Sequence, residues 1–282
     1  AVGKEALGVN TTGTDNVAVG ANALDANTTA SGNTAIGKDA LTACTTGHSN
    51  TAIGNFSLQT LTTANHCTAV GKSALPDNTS GTQNVAIGNF TLFDNTTGSN
   101  QTAVGYNTLA SNTTGTLNTA VGSLALDANT TGEKAVAVGA SALSSNTTGV
   151  RNCAVGYVAL LTNSTGDYNT GIGNLALYSN TTASHNTAVG YAALEANTTG
   201  AQNTAVGDGA LDANTTGGVN SAFGRDALGA NTSGENNVAV GRRALLENTT
   251  ASNNTAVGTA ALQENTTGTG NVAVGASALD AN

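Results

Sequence analysis

Methionine and tryptophan are absent from the 282-residue sequence, and proline occurs once. Charged residues make up 9% of the chain and aromatic residues 3%, so the large apolar groups that fill an ordinary globular core are scarce. Disorder is also disfavoured, because disordered chains are rich in charge and poor in β-branched residues. Only eight Lys and Arg, with a net charge of −9, argue against nucleic-acid binding. No apolar run approaches the roughly 20 residues of a membrane-spanning helix, so membrane insertion is not expected.

A 17-residue repeat fills the chain without insertion or deletion. The tripeptide Ala-Val/Ile-Gly, or a single-residue variant of it, begins at Ala1 and recurs every 17 residues as far as Ala273. The unit reads Asn-Thr-Ala-Val-Gly-x-x-Ala-Leu-x-x-Asn-Thr-Thr-Gly-x-x, and we number its positions slots 1 to 17. Slot 5 is always Gly and slot 9 always Leu, whereas slots 6, 7, 10, 11, 16 and 17 vary and hold every charged residue, His and Tyr. We therefore predict a single repeat array over residues 1–282, built from coils that stack on identical coils.

The residue types within the unit predict an all-β fold. A 17-residue unit is too short for a helical repeat, and its Thr, Asn and Gly content disfavours helix. Slots 1 to 4 alternate as a short strand does, slots 7 to 11 around Ala-Leu form a candidate second strand, and Gly and Asn-Thr-Thr-Gly supply two turns. The sequence thus predicts a parallel β-solenoid of about 17 coils with two short strands per coil. At about 4.8 Å per coil the array would extend over roughly 80 Å.

Invariant small residues suggest that one chain is not enough. We expect Val and Ile of slot 4 to fill the coil interior, which would turn the Ala of slot 3 outward. An outward slot in contact with water should vary, yet slot 3 is Ala in all repeats except at Gly171. The Ala-Leu pair of slots 8 and 9 repeats this argument, so we predict a homo-oligomer in which a second copy packs on the Ala slots. The Asn residues of slots 1 and 12 are expected to form ladders from coil to coil.

The motif Asn-Thr-Ala-Val-Gly-x-x-Ala-Leu resembles the head repeats of trimeric autotransporter adhesins, and it is similar to repeat arrays in phage tail fibres. The resemblance covers the whole chain, with a period of 17 and an added Asn-Thr-Thr-Gly turn as departures. It implies a left-handed parallel β-roll, three chains side by side, and an exposed fibre or adhesin. Because the chain starts at slot 3 and stops at slot 12 without a polar cap, we expect a segment of a longer fibre or end-to-end stacking.

Acidic side chains stack in two places. Asp77 with Asp94, and Glu247 with Glu264, occupy slot 11 of successive coils, with backbones about 4.8 Å apart. A pocket, an aromatic platform and a positioned base are missing, so we interpret both pairs as a solvated face.

The remaining candidate groups converge on no site. Three cysteines and three histidines are spread over distant coils in no zinc or disulfide spacing: Cys44, Cys67, Cys153, His48, His66 and His185. The cluster of Arg225, Arg242 and Arg243 is flanked by Asp208 and Asp226 and is interpreted as a mixed surface patch. We predict no catalytic, cofactor-binding or metal-binding residue, and no enzymatic activity.

Sequons for N-glycosylation occur in slot 12 of fourteen repeats, for example at Asn10, Asn78 and Asn265, and also at Asn55 and Asn89. Turn and ladder chemistry explains the same asparagines, and this is the interpretation we favour.

Three functions are compatible with a scaffold of this kind. The leading hypothesis is an extracellular structural fibre, adhesin-like or phage-tail-fibre-like, on a cell surface or a virion. Its partners would be copies of itself and a cell-surface or host-surface ligand. The alternative is an ice-binding solenoid, suggested by the unbroken Thr and Ser rows of slots 13 and 14. A polysaccharide-cleaving tailspike is a third hypothesis, which lacks any unique catalytic slot.

Overall fold

The computed structural model describes residues 1–280, which divide by their contacts into two units, Ala1–Ala140 and a second unit that begins at Ser141. Each repeat forms one coil of a parallel β-solenoid, and no helix forms in the described part of the chain. The predicted fold class is therefore confirmed. Each unit contains eight strands, β1–β8 in the first and β9–β16 in the second.

The strands are three residues long and occupy slots 2 to 4. Their bounds are β1 Val17–Val19, β2 Thr34–Ile36, β3 Thr51–Ile53, β4 Thr68–Val70, β5 Val85–Ile87, β6 Thr102–Val104, β7 Thr119–Val121, β8 Val136–Val138, β9 Cys153–Val155, β10 Thr170–Ile172, β11 Thr187–Val189, β12 Thr204–Val206, β13 Ser221–Phe223, β14 Val238–Val240, β15 Thr255–Val257 and β16 Val272–Val274.

Within each unit, every strand pairs in parallel with the strand of the next repeat, in a register of 17 residues. Ala18 pairs with Ala35 in the first unit, and Ala188 pairs with Ala205 in the second. The first repeat contributes an isolated bridge from Val2 to Val19. Equivalent slots therefore lie directly above one another along each unit.

The side chains of each strand face the opposite way from the prediction from sequence. The Ala of slot 3 points into the coil and is buried, whereas slots 2 and 4 point outward. Gly171, the single slot-3 glycine, shows why: a Cβ there would lie 3.1 Å from the carbonyl oxygen of Ala176 and 3.3 Å from Cγ of Leu160. Because the Leu of slot 9 already fills the interior, only a methyl group fits at slot 3, and Val or Ile must point outward.

The predicted second strand of each coil does not form. Slots 7 and 9 adopt left-handed backbone conformations, as at Asn107 and Leu109, each with φ of 53°. This turn lets the Ala of slot 8 and the Leu of slot 9 both face inward, as Ala125 and Leu126 do. Neighbouring residues in a strand could not do so. The Ala-Leu pair is therefore interior and gives no reason for a second copy.

Backbone hydrogen bonds continue through these turns, although the turns are not strands. The N–H of Leu109 donates to the carbonyl of Ala125 at 3.0 Å, and the N–H of Asn107 donates to that of Asn89 at 3.1 Å.

Gly at slot 5 is required where the strand ends, because its φ lies between 127° and 144°. A Cβ on Gly207 would also lie 2.5 Å from the carbonyl oxygen of Gly224 in the next coil.

Both predicted asparagine columns lie inside the coil, with different bonding. In slot 12 an Asn amide donates to the amide oxygen of the preceding coil where that coil also carries Asn, as Asn214 does to Asn197 at 2.8 Å. In slot 1 the side-chain oxygen instead accepts a backbone N–H, as Asn186 Oδ1 accepts that of Asn203 at 2.9 Å. The amide of Asn203 then donates to the carbonyl of Gly217 at 2.8 Å. The asparagines thus satisfy the turn backbone that a narrow coil buries.

Candidate interaction face

The outward side chains of slots 2 and 4 form an uncharged surface, which we call the sheet face. Slot 4 carries Val or Ile in every strand except at Phe223, and slot 2 carries Thr or Val except at Cys153 and Ser221. Val19 is 38% exposed and Ile87 is 40% exposed. β-Branched residues with such exposure and no charged neighbour on the face are unusual on a protein surface.

The exact repeat makes the sheet face a grid. Neighbouring strands lie about 4.8 Å apart, and slots 2 and 4 are about 6.6 Å apart along a strand. Thr102 and Val104 of β6 are followed on the same face by Thr119 and Val121 of β7. The methyl groups of slots 2 and 4 therefore form two straight, parallel columns in each unit.

Two further columns border the sheet face, and we call them the slot 6 rim and the slot 17 rim. The slot 6 rim carries Tyr106, Tyr157 and Tyr191, which are 55%, 61% and 56% exposed. The slot 17 rim carries exposed apolar side chains at Leu117, Tyr168 and Val219. In residues 1–280, every exposed large apolar side chain lies on the sheet face or its rims, except Val9 and Leu279 in the first and last repeats.

The size of this surface is comparable with that of protein–protein interfaces. Eight strands at about 4.8 Å each, and two columns wide, give roughly 400 Å² of sheet face per unit. The rims bring each unit to on the order of 800 Å², which is about the area that one partner contributes to a standard interface. The sheet face alone is about as large as the largest apolar patch on a typical monomer, which is on the order of 300–600 Å² and often functional.

The Thr rows of slots 13 and 14 lie elsewhere and are built differently. Slot 13 hydroxyls donate to backbone carbonyls of the next coil, as Thr96 does to Thr113 at 3.2 Å and Thr198 does to Thr215 at 3.0 Å. Slot 14 residues such as Thr114 are exposed. The slot 13 hydroxyls are thus used inside the chain and do not present a free row to a ligand.

Burial separates the sequons into two groups. The slot 12 asparagines from Asn27 to Asn265 that carry sequons are buried, and their amides donate hydrogen bonds inside the coil. A glycan on such an amide is incompatible with the fold. Asn89 is exposed, and its Oδ1 accepts the N–H of Lys72 at 3.0 Å, so a glycan there would project from the surface.

The stacked carboxylates form no enclosed site. The pKa of Asp94 is raised by burial and by the nearby charge of Asp77. The surface of residues 1–280 has no enclosed pocket, and no group of three or more His, Cys, Asp or Glu there is arranged to hold a metal ion.

The thiols differ in accessibility. Cys44 and Cys67 are buried, and burial raises the pKa of Cys44 to about 11 and also raises the pKa of Cys67. Cys153 is partly exposed on the sheet face, where burial by its neighbours raises its pKa as well. This position at slot 2 makes Cys153 a natural probe of the face.

The histidines and arginines make separate, local contacts. His48 accepts a 2.9 Å hydrogen bond from the N–H of Ser31, whereas His185 stacks on Tyr168 with ring centroids 4.9 Å apart. Arg225 lies 3.2 Å from the carboxylate of Asp226. The structure brings none of these groups into one site.

Sequence reasoning predicts no sheet face, because it places the Val and Ile of slot 4 in the coil interior, where the structure has Ala. The uniform hydrocarbon character of slot 4 is nevertheless a sequence signal for this surface. The grouping of four of the five tyrosines in slots 6 and 17 was a second available signal.

No protein-family model matches the chain, and a search of curated proteins finds no match either. No helix long and apolar enough to cross a membrane occurs in residues 1–280.

Proposed function

We propose that the chain is a structural part of an extracellular fibre, adhesin-like or tail-fibre-like, in which copies of the solenoid pack side by side through the sheet face. The observation that carries this proposal is the uncharged sheet face, made almost entirely of β-branched residues, which leaves its apolar side chains exposed in a single copy. The extracellular location and a stoichiometry of three rest on the resemblance of the repeat to adhesin head repeats.

The energetics of a narrow coil favour such assembly. The interior of most coils holds two Ala methyl groups and one Leu, so one chain buries little apolar surface per repeat. Ordering each residue costs on the order of 1–2 kcal/mol in backbone entropy, and fully burying a Val or Ile returns roughly 1.5–3 kcal/mol. Covering slots 2 and 4 would add up to two such side chains per coil. Lateral packing therefore supplies stabilisation that the thin interior lacks.

The regularity of the face favours a copy of the chain as the occupant. A surface that repeats every coil is matched along its whole length only by a partner with the same repeat. A second solenoid has that repeat by construction, and its own sheet face requires cover for the same reason. Since the face carries no charge, apolar contact is the interaction it offers.

The test is the native mass of the chain, measured by light scattering, with electron microscopy of the same fraction. We expect an oligomer that dissociates when a Lys replaces Val121 or Val240, which are each 37% exposed on the sheet face. Thr114→Lys is the matched control, because it adds the same charge at exposed slot 14. A wild-type chain that is monomeric at all concentrations would refute the proposal.

Ice binding is the second candidate function. The sheet face suits it better than slots 13 and 14, because its side chains form a regular grid. Thr hydroxyls and Val or Ile methyls alternate on a grid of about 4.8 by 6.6 Å, which a crystal plane can match. Phe223 interrupts that grid with a ring, whereas a protein partner can adjust to it. Thermal hysteresis of a dilute monomer would support this function, and its absence would exclude it.

A further inference from the structure

The slot 12 asparagines combine a modification signal with a structural role that excludes the modification. We infer that the chain is made where transfer of N-linked oligosaccharide does not precede folding, because glycosylation of slot 12 and closure of the coil exclude each other. Such a route is either a cell without this reaction or a compartment that the reaction does not reach. The requirement is the same for a single copy and for a fibre.

Both hydrogens of a slot 12 amide are used inside the coil. Nδ2 of Asn214 donates to Oδ1 of Asn197 at 2.8 Å and to the carbonyl of Gly217 at 3.0 Å. An N-linked glycan replaces one of these two hydrogens with a bulky sugar. The thirteen sequon asparagines of slot 12 from Asn27 to Asn265 are at most 1% exposed. Since neighbouring coils are about 4.8 Å apart, a sugar ring does not fit between them.

Each sequon is accessible in the growing chain before its coil closes. The N–H and the hydroxyl of Thr96, next to Asn95, donate to the carbonyl of Thr113, which lies 17 residues further along the chain. At a synthesis rate of about 5–20 residues per second, those residues take about 1–3 s to follow. A transferase that acts on nascent chains would therefore meet every slot 12 sequon in an open segment.

Turn chemistry, and not glycosylation, accounts for the sequons. Slot 14 supplies the Thr or Ser that completes each of them, yet it remains Thr at Thr46 and Thr63, where slot 12 is Cys44 and Leu61. A residue retained only to complete a sequon would be free to vary in these two repeats. Asn-x-Thr has thus accumulated fourteen times in slot 12 as a product of the turn.

Sequons outside slot 12 provide an internal comparison. There are four of them, at Asn55, Asn89, Asn100 and Asn253. Asn55 is partly exposed and the other three are exposed, so sugars there would project from the coil. A chain that carries glycans only at these four positions should fold.

Expression of the full chain through a eukaryotic secretory pathway tests the inference, with the chain from a bacterial cytoplasm as the reference. The matched variant carries Thr114→Ala and its equivalents in all fourteen slot 12 sequons, which removes the acceptor motif and keeps every asparagine. Slot 14 is exposed, so this variant should fold in bacteria as the wild type does. Mass spectrometry of glycopeptides locates the sugars, and circular dichroism with thermal unfolding measures folding.

We expect the secreted wild-type chain to carry slot 12 glycans and to lose the cooperative unfolding transition of the bacterial product. The slot 14 variant should retain that transition, and an inhibitor of N-glycosylation should restore it to the wild type without any substitution. Slot 12 glycans on a chain that melts at the bacterial temperature would overturn the inference. So would a secreted wild type that is folded and free of slot 12 glycans, or one that stays unfolded when glycosylation is inhibited.

Discussion

The side-chain amide of Asn112 donates a 2.8 Å hydrogen bond to Oδ1 of Asn95, and its own Oδ1 accepts a 2.8 Å hydrogen bond from Asn129. The same amide also donates to the carbonyl of Gly115 at 3.2 Å. The side chain is fully buried, so it links three coils where water cannot substitute for it. The slot 12 column therefore holds the coils in register from inside.

Removing one asparagine side chain from this column should destabilise the fold strongly. Asn112→Ala would remove the hydrogen bond that Oδ1 of Asn95 accepts, the bond from Asn112 to the Gly115 carbonyl and the bond that Asn112 accepts from the Asn129 amide, and we expect a loss of about 2–4 kcal/mol in the free energy of unfolding. Urea denaturation of the purified chain measures it. Ser111→Ala, at the preceding and partly exposed slot, is the control. A loss as small as that of the control would show that the amide column does not support the fold.

The slot 12 column is interrupted at Cys44, and replacing this residue by asparagine should stabilise the fold. Cys44 replaces the asparagine that would follow Asn27, and Oδ1 of Asn27 is buried without a hydrogen-bond partner. Cys44→Asn would supply an amide donor to that oxygen and could retain the contact to the Gly47 carbonyl, which Sγ now makes at 3.3 Å. We expect a gain of about 1 kcal/mol in the free energy of unfolding.

The control for this substitution is Cys153→Thr, which restores the commonest residue of slot 2 at a partly exposed position and completes no buried ladder. Thermal unfolding of both variants in reducing buffer separates the two effects. If Cys44→Asn lowers the melting temperature, the neighbouring Leu61 rung would be too tightly packed against slot 12 to admit an amide.

The repeat made the solenoid, the coil register and the asparagine columns predictable, because equivalent slots must stack when a period has no insertion. Which face of the strand points inward was not predictable from alternation alone. Alternation puts slots 2 and 4 opposite slot 3, but the choice depends on interior volume, which the Leu of slot 9 consumes. The left-handed conformation of Leu109 and its equivalents was also hidden, since β-branched and large residues ordinarily avoid positive φ.

Cys153 should be the only thiol that reports on the sheet face. In the folded chain, a maleimide should modify Cys153, while buried Cys44 and Cys67 react only after denaturation. If copies cover the face, modification of Cys153 should slow as the protein concentration rises and recover in the dissociated Val121→Lys variant. Mass spectrometry of tryptic peptides identifies the modified thiol. A rate independent of concentration in an assembled sample would place the interface elsewhere on the coil.

The stability of the chain should fall as the pH rises above the ordinary range of Asp titration, and Asp212 provides the means to test this. Burial raises the pKa of Asp212, the nearby charges of Asp226 and Glu195 raise it further, and hydrogen bonds from its own N–H and that of Ala213 offset part of the effect. A carboxyl whose pKa is higher in the folded than in the unfolded chain binds its proton more tightly when folded, so deprotonation at higher pH costs folding free energy.

Asp212→Asn keeps an oxygen that can accept the Ala213 N–H and removes the charge. We expect it to stabilise the chain at pH 7 by less than about 1 kcal/mol, because the carboxylate is only half buried, and to have no effect near pH 3. Urea denaturation at both pH values measures the difference, with Asp15→Asn at an exposed rim position as the control. A larger gain at pH 3 than at pH 7 would contradict the burial of this carboxylate as the cause.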